Sequence, residues 1–306
     1  VEFRSRKPTP SSQNWSKHDQ KKQPKNKHRQ IYHGSPGDHY HSGDDSFLNQ
    51  VLIIMSEIEE NIQKLHRATY YENLNVPGQE RDEPFPRYLA EVRDENSLIF
   101  LPDASDFQPP QTDLVAILRQ RATVRHYDTQ AELTATELAF LLKYTQGIRE
   151  FNQKRNVTLR YVPSAGSRHP FETYLLIQRV SGLLPGLYHF IAHKNALEIL
   201  SLKRDAIQRA HECALRQRQV ITSAVTFFWS AEIYRTSWRY SERAYRYFHL
   251  DAGHICQNLY LCAESIGCGV CAIAAFDDQL ANNLFDQKEA ERFITYIASV
   301  GKKIDG

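Results

Sequence analysis

Apolar residues recur at three- and four-residue spacing from Phe47 through Leu48, Val51, Leu52, Met55, Ile58 and Ile62 to Leu65. That period predicts an amphipathic helix beginning at Asp45 or Ser46. The pattern then lapses: Asn75 to Pro110 is rich in proline and charge and reads as an extended wrapping segment or linker. From Thr112 helical and strand-like patterns alternate. Thr112 is placed to cap a short helix over Asp113–Arg119, and Thr134 or Thr136 to cap a second that runs to Gln146 and stops at Gly147. Strands are expected at Thr173–Val180, Leu187–Phe190, Ala196–Leu200, Ala224–Ser230, Val270–Ala274 and Phe293–Val300, with turns at Pro185-Gly186 and Lys194-Asn195. A long helix from Glu242 to Ile266 would bury Ala244, Tyr247, Phe248, Ile255, Leu259, Cys262 and Ala263 and end at Gly267.

Residues 1–45 hold Pro8, Pro10 and runs of Lys, Gln and Asn with little to bury, the composition of a disordered basic arm. Three parts follow: the arm over 1–45, a helix and Pro-rich segment over 46–110, and an α+β domain over 111–306.

One stretch stands apart. Tyr161-Val-Pro-Ser-Ala-Gly-Ser-Arg-His-Pro-Phe171 is a tight polar loop that feeds Tyr174-Leu-Leu-Ile177, an apolar run suited to a strand covered on both faces. Pro163 biases Val162 to an extended backbone, and Gly166 permits geometry that a Cβ resists. The small residues Ser164, Ala165, Gly166 and Ser167 let a flat or anionic group approach the backbone.

The 306 residues carry 24% charged and 41% hydrophobic side chains, as in a soluble globular protein. The formal charge of +2 does not imply a nucleic-acid partner. It is uneven: residues 1–30 hold nine Lys/Arg against Glu2 and Asp19, leaving the remainder slightly acidic. Val51–Met55 is far short of the roughly 20 residues that span a bilayer. With no signal-peptide pattern either, a cytoplasmic protein without a membrane partner is expected. Five cysteines are an odd number for a disulfide framework. Cys268-Gly-Val-Cys271 lacks two further ligands at zinc spacing, since Cys256 and Cys262 lie six apart. These thiols read as small buried residues, the arm's histidines His18, His28, His33, His39 and His41 have no fold to order them, and no metal site is expected.

Arg121-Ala-Thr-Val-Arg125 sets two guanidiniums around a hydroxyl, a set able to grip a phosphate. This element and the Pro-Ser-Ala-Gly-x-x-His-Pro loop resemble the nitroreductase superfamily, and specifically its SagB-type dehydrogenases, which include the azoline oxidases of thiazole- and oxazole-peptide biosynthesis. Arg235-Thr-Ser-Trp-Arg-Tyr-Ser-Glu-Arg-Ala-Tyr-Arg-Tyr247, Asp251-Ala-Gly-His-Ile-Cys-Gln-Asn-Leu259, Ile266–Phe276 and Val300-Gly-Lys-Lys303 extend the likeness over roughly Asp113 to Lys303.

The resemblance implies an α+β nitroreductase fold, a central, mostly antiparallel sheet flanked by helices, and a homodimer whose flavin pocket is built across the subunit interface. It implies non-covalent FMN, with Arg121, Thr123, Arg125 and Lys302 at the phosphate end, Pro163, Ser164, Ala165 and Gly166 beside the ring, and Ala274 and Ala275 facing N5. The family's Lys-Tyr pair, assigned to proton abstraction, is Arg239-Tyr240 here, and the next glycine is Ser241. Arginine stays protonated and is no general base, so Tyr240 becomes the proton-handling residue and Arg239 its electrostatic partner. His169 lies near the flavin loop, to touch substrate or brace the turn, while His254, Gln257 and Asn258 read as core polar groups of the long helix. The leading expectation is an FMN-dependent oxidoreductase acting on an azoline-like ring in a modified peptide, alongside partner proteins of a biosynthetic complex. The alternatives are an NAD(P)H-dependent nitro or quinone reductase of small molecules, a non-catalytic flavin- or peptide-binding module, and a protein that binds nucleic acid or an acidic partner through the basic residues 1–30.

Overall fold

A computed structural model describes residues 45–304 of the chain, and their side chains from residue 54 onward. The basic-arm expectation lies outside the described residues. The chain divides into two units, residues 1–55 and 56–306, and the description below concerns the second.

Nine strands form the framework: β1 (Leu98–Phe100), β2 (Ile148–Asn152), β3 (Val157–Arg160), β4 (Phe171–Ile177), β5 (Gly186–Ile191), β6 (Ala196–Ser201), β7 (Val225–Glu232), β8 (Cys268–Ile273) and β9 (Arg292–Lys302). Seven make one sheet in the order β1-β6-β5-β4-β7-β9-β8, and every neighbouring pair is antiparallel. β2 and β3 form a separate hairpin. Among the described residues eight α-helices accompany them, the first running in from the other unit: α1 (Asp45–Ala68), α2 (Leu114–Gln120), α3 (Ala135–Gln146), α4 (Ala206–Cys213), α5 (Arg218–Thr222), α6 (Ile233–Tyr240), α7 (Ala244–Ser265) and α8 (Asp278–Leu284). Among the described residues no helix is long and apolar enough to cross a membrane.

β4 lies near the middle of the sheet, and all seven of its residues are buried. The cause is its alternation. Phe171, Leu175 and Ile177 point into a core shared with Leu138, Leu141 and Leu142 of α3 and Phe248, Ile255 and Leu259 of α7. Tyr174 and Leu176 point into a second core with Ala206 and Ala210 of α4, Val220 of α5 and Ala281 and Leu284 of α8. The sheet is therefore covered on both faces, and a continuous apolar run is what such a strand requires.

The helix ends follow from their caps. Thr134 and Glu137 form a reciprocal capping box at α3, as the spacing predicts. α2 is capped by Asp113 rather than Thr112, its carboxylate accepting from the N–H groups of Val115 and Ala116. The helix expected from Glu242 begins at Ala244, because a separate 3-10 turn over Ser241–Arg243 breaks the chain after α6. The C-terminal turn closes on Gly267 at φ +70°. Asn195 takes φ +48° in the turn between β5 and β6. The Pro-rich segment is more than a linker, since its β1 pairs with β6 and extends the sheet.

All five cysteines are free. Cys268 and Cys271 are buried on β8, and burial pushes the Cys268 thiol up to about 12, so both behave as small packing residues. Leu175 is fully buried at the sheet's centre. Leu175→Ala should cost about 2–5 kcal/mol, read as a lower urea midpoint with an unchanged m-value.

Candidate functional site

The Tyr161–Phe171 loop is held in a conformation that side chains resist. Gly166, Ser167 and His169 all have positive φ, at +56°, +54° and +44°. At Ser167 and His169 such a backbone costs of order 1–3 kcal/mol each and persists where the surroundings over-determine it, whereas Gly166 adopts it freely. Those surroundings come from α7 and α6. The Ser164 hydroxyl donates to Asp251 Oδ2 of α7 at 2.6 Å and accepts from the His169 N–H at 2.9 Å. The Ala165 N–H reaches the other oxygen of the same carboxylate at 3.4 Å. From α6, Tyr240 lies directly on Gly166, where a Cβ would come within 2.4 Å of the phenol oxygen. Glycine is required there for approach as well as for φ. The Arg239 guanidinium carbon lies 5.6 Å over the Tyr240 ring, and its Cδ also packs at the loop.

Behind the loop sits a buried ionic network. Glu172 of β4 pairs with Arg235 of α6, both about 5% exposed. Arg235 also donates to the carbonyl oxygens of His169 at 3.4 Å and Arg87 at 2.8 Å. His189 lies between Glu172 at 3.3 Å and Glu198 at 3.6 Å. Burial would raise the Glu172 carboxyl, but Arg235, His189 and Arg160 outweigh it and hold it far below the usual carboxylate range. His169 is pushed the other way. Burial, then the charges of Arg160, Arg168 and Arg235, take it down to about 3, so it is neutral at neutral pH and braces the turn through its backbone. Arg168 is 2% exposed, its guanidinium 4.9 Å from the Phe85 ring centroid and 5.5 Å from that of Trp238.

The second group of residues lies elsewhere on α7. Tyr260 Oη is 3.3 Å from Thr123 Oγ1 and accepts from the Ala272 N–H at 3.0 Å, while the Arg121 guanidinium lies 5.2 Å over the Tyr260 ring. Val124 bonds to Val270 of β8, so the Arg121–Arg125 element adds to the sheet beside the strand that leads to Ala274 and Ala275. Both alanines are exposed. Among the described residues, neither Arg121 nor Arg125 makes an ion pair, and two unmatched guanidiniums flanking a hydroxyl suit a phosphate. Lys302 differs: its ammonium is paired with Glu137 and bonds to the Ile266 carbonyl, so its charge is already matched.

The residues thus fall into two clusters. One is Pro163–Gly166 with Arg239 and Tyr240, tied to α7 through Asp251. The other is Arg121, Thr123 and Arg125 with the end of β8, tied to α7 through Tyr260. Asp251 and Tyr260 are nine residues apart, which on a helix is about 14 Å of rise and roughly 180° of rotation. The clusters therefore lie on opposite sides of α7.

Residues 118–302 match the family described as Nitroreductase. The chain belongs to the nitroreductase family. It is 30% identical to a Methanocaldococcus jannaschii protein that carries the nitroreductase name, over 68% of this chain and 97% of that one. A 111-residue stretch is 35% identical to the trifolitoxin-processing protein TfxB of Rhizobium leguminosarum bv. trifolii, covering 35% of this chain and 30% of that protein. The fold is similar to a nitroreductase-type protein of Anabaena variabilis (TM-score 0.56, 24% identity, 74% of this chain), although this chain spans only 46% of that one. It is also similar to a chain of the Escherichia coli microcin synthetase McbBCD complex solved with truncated pro-MccB17 (TM-score 0.51, 16% identity, 82% and 94% coverage). The expected α+β fold, a large antiparallel sheet flanked by helices, is the observed one.

In this nitroreductase-family chain, His254 and Gln257 are exposed rather than core groups, because none of the described residues covers their side of α7. Asn258 does bond inward, to the Tyr144 carbonyl at 2.8 Å. Asp251, Tyr260, Glu172 and Arg235 were assigned no role from the sequence. Asp251 opens the Asp-x-Gly-His element, so its motif offered a signal; the partners of the other three are remote in sequence and offered none.

Ser241 has φ +49° and ψ −137°, a backbone natural to glycine, and its hydroxyl bonds to the Glu242 carboxylate at 2.6 Å. Relief of about 1–3 kcal/mol of strain should exceed the loss of this half-exposed bond. Ser241→Gly is expected to raise unfolding stability by about 1 kcal/mol; a lower urea midpoint would show the Glu242 bond to dominate.

Proposed function

We propose that this chain is an FMN-dependent dehydrogenase of the SagB type that oxidises an azoline-like ring in a modified peptide. The observation that carries this reading is the seating of Tyr240 on Gly166, with Arg239 over its ring. It puts a phenol and a permanent cation at the small-residue loop where a flat ring would lie. The similarity to a trifolitoxin-processing protein, and the fold likeness to a chain solved with truncated pro-MccB17, support a peptide substrate and partner proteins of a biosynthetic complex.

When bound, FMN supplies two-electron hydride exchange at N5. Arg121, Thr123 and Arg125 would hold its phosphate end, Ala274 and Ala275 would pass beside N5, and Pro163, Ser164, Ala165 and Gly166 would flank the ring. Lys302, already matched by Glu137, is left out of the phosphate set. Because the two clusters lie on opposite sides of α7, one protomer would supply the phosphate end and its partner the loop with Tyr240, in a homodimer. Asp251 keeps the loop closed to the conformation that Tyr240 covers. Arg239 sets a permanent positive charge over the Tyr240 ring, where it would face an anionic group of the substrate.

A second reading, an NAD(P)H-dependent reductase of nitro compounds or quinones, is favoured by the full-length similarity to the Methanocaldococcus protein. Steady-state assays with an azoline peptide, and with NADPH plus a quinone, separate the two. Azoline-dependent flavin reduction is expected; turnover with NADPH and quinone alone would replace it with the second reading. Arg121→Ala should lower the FMN released per protomer on denaturation, and unchanged occupancy would remove the phosphate assignment. Tyr240→Phe should keep FMN while cutting azoline turnover by about 10²–10⁴-fold, the usual size of a lost proton-transfer group.

A further inference from the structure

Positive charge is buried in excess around the Pro163–Gly166 loop. Arg160 of β3 and Arg168 of the loop are 7% and 2% exposed, and among the described residues neither makes an ion pair. The two carboxylates of the buried network are already taken. Glu172 is held by Arg235 and His189, and Glu198 by His189 and the N–H groups of Arg93 and Asp94. An uncompensated buried charge is costly, so a guanidinium left in this state invites an anion.

Arg160 reaches a cavity of about 440 Å³, lined also by Arg149, Tyr161, Ser164, Ser167 and His169. No carboxylate lines it, and it shares no residue with the cavity that Arg239 and Tyr240 border. The guanidinium is fixed from one end: Nη1 donates to the Gln146 carbonyl oxygen at 3.1 Å and to Gln146 Oε1 at 2.6 Å. Its Nε has no hydrogen-bond partner. Anchoring through Nη1 leaves unmatched the N–H groups from which a planar carboxylate accepts side-on. Burial and the charge of Arg235, set against Glu172, draw Arg160 down to about 10, so it stays protonated at neutral pH. His169, 6% exposed and neutral, can offer one ring N–H beside it. Arg149 is exposed and brings a second guanidinium from β2.

We propose that this cavity is a carboxylate site, with Arg160 as its buried ligand and Arg149 at its mouth, and that it takes an acidic side chain beside the azoline ring of the peptide. The loop residues Ser164 and Ser167 belong to the cavity wall, and Gly166 between them carries Tyr240. A group held by Arg160 would therefore lie one or two residues along the loop from the phenol. The substrate half of the inference rests on the azoline-peptide reading; the carboxylate site itself does not.

Thermal unfolding of the purified full chain in sodium acetate, against sodium chloride at equal concentration, tests the site without any turnover. Acetate should raise the midpoint by a few degrees beyond chloride, a gain that Arg160→Gln abolishes and Arg149→Gln reduces. Arg160→Lys keeps a charge in the cavity and should retain part of the gain. An equal effect of chloride would mean an adventitious ion only and overturn the proposal. Saturating FMN should leave the acetate gain in place; its loss would give the cavity to the flavin and also overturn the proposal. For the substrate, fluorescence anisotropy of dye-labelled thiazoline peptides compares Asp with Asn beside the ring. The Asp peptide should bind about tenfold tighter, a ratio that falls toward one in Arg160→Gln and, less far, in Arg149→Gln. Equal Kd values in the wild type would overturn the acidic-side-chain assignment. Tight binding of the Asp peptide without its oxidation by the FMN-loaded protein would instead overturn the azoline reading, and the carboxylate site would stand.

Discussion

The buried ion pair between Glu172 and Arg235 is the constraint that the site depends on. Glu172 belongs to the fully buried strand β4, which the two cores fix from both faces. Arg235 belongs to α6, the helix that carries Arg239 and Tyr240. Removing either partner would leave an uncompensated buried charge, a loss of about 3–5 kcal/mol in other proteins. The same guanidinium reaches the carbonyls of His169 and Arg87, so one side chain sets the position of the strand, the loop before it, the helix with the phenol, and the Pro-rich segment. His189 and Glu198 carry the network onward to the Asp94 N–H at 3.0 Å. Strain at Ser167 and His169 persists because this frame leaves the loop no easier conformation.

Helix α7 divides the chemistry as much as it organises it. Its N-terminal half anchors the Pro163–Gly166 loop through Asp251, and its C-terminal half anchors the Arg121–Arg125 element through Tyr260. Half a rotation between these residues sends the two clusters to opposite sides. In the proposed homodimer, two protomers meeting over this helix would join one cluster from each, and the side of α7 that carries His254 and Gln257 is left uncovered by the described residues.

What could be read in the sequence was local or periodic. β4 was legible because a strand buried on both faces must be a continuous apolar run, and α3 because Thr134 and Glu137 sit three apart. The short helices α4, α5, α6 and α8 were not legible, since segments of five to eight residues carry too little period to register. β1 was hidden in the Pro-rich segment because three residues at a sheet edge need no pattern of their own. Within the site, the loop and the Arg-Thr-Arg element showed their chemistry in consecutive residues. Tyr260 and Arg235 did not, because each acts on a partner that only the fold brings near.

Under the proposed SagB-type reading, Arg239 stands where the resemblance implies a lysine, and that would change how a proton is handled. A lysine can release its proton and act as a base, whereas arginine remains charged and can only bias neighbouring groups. Arg239, Arg243 and Arg246 surround Tyr240 and Tyr247, while the Ser241 hydroxyl, chiefly, holds the Glu242 carboxyl down to about 2. Ser241 therefore has a use despite its strained backbone: its hydroxyl draws Glu242 aside and leaves Arg243 to donate to Tyr247.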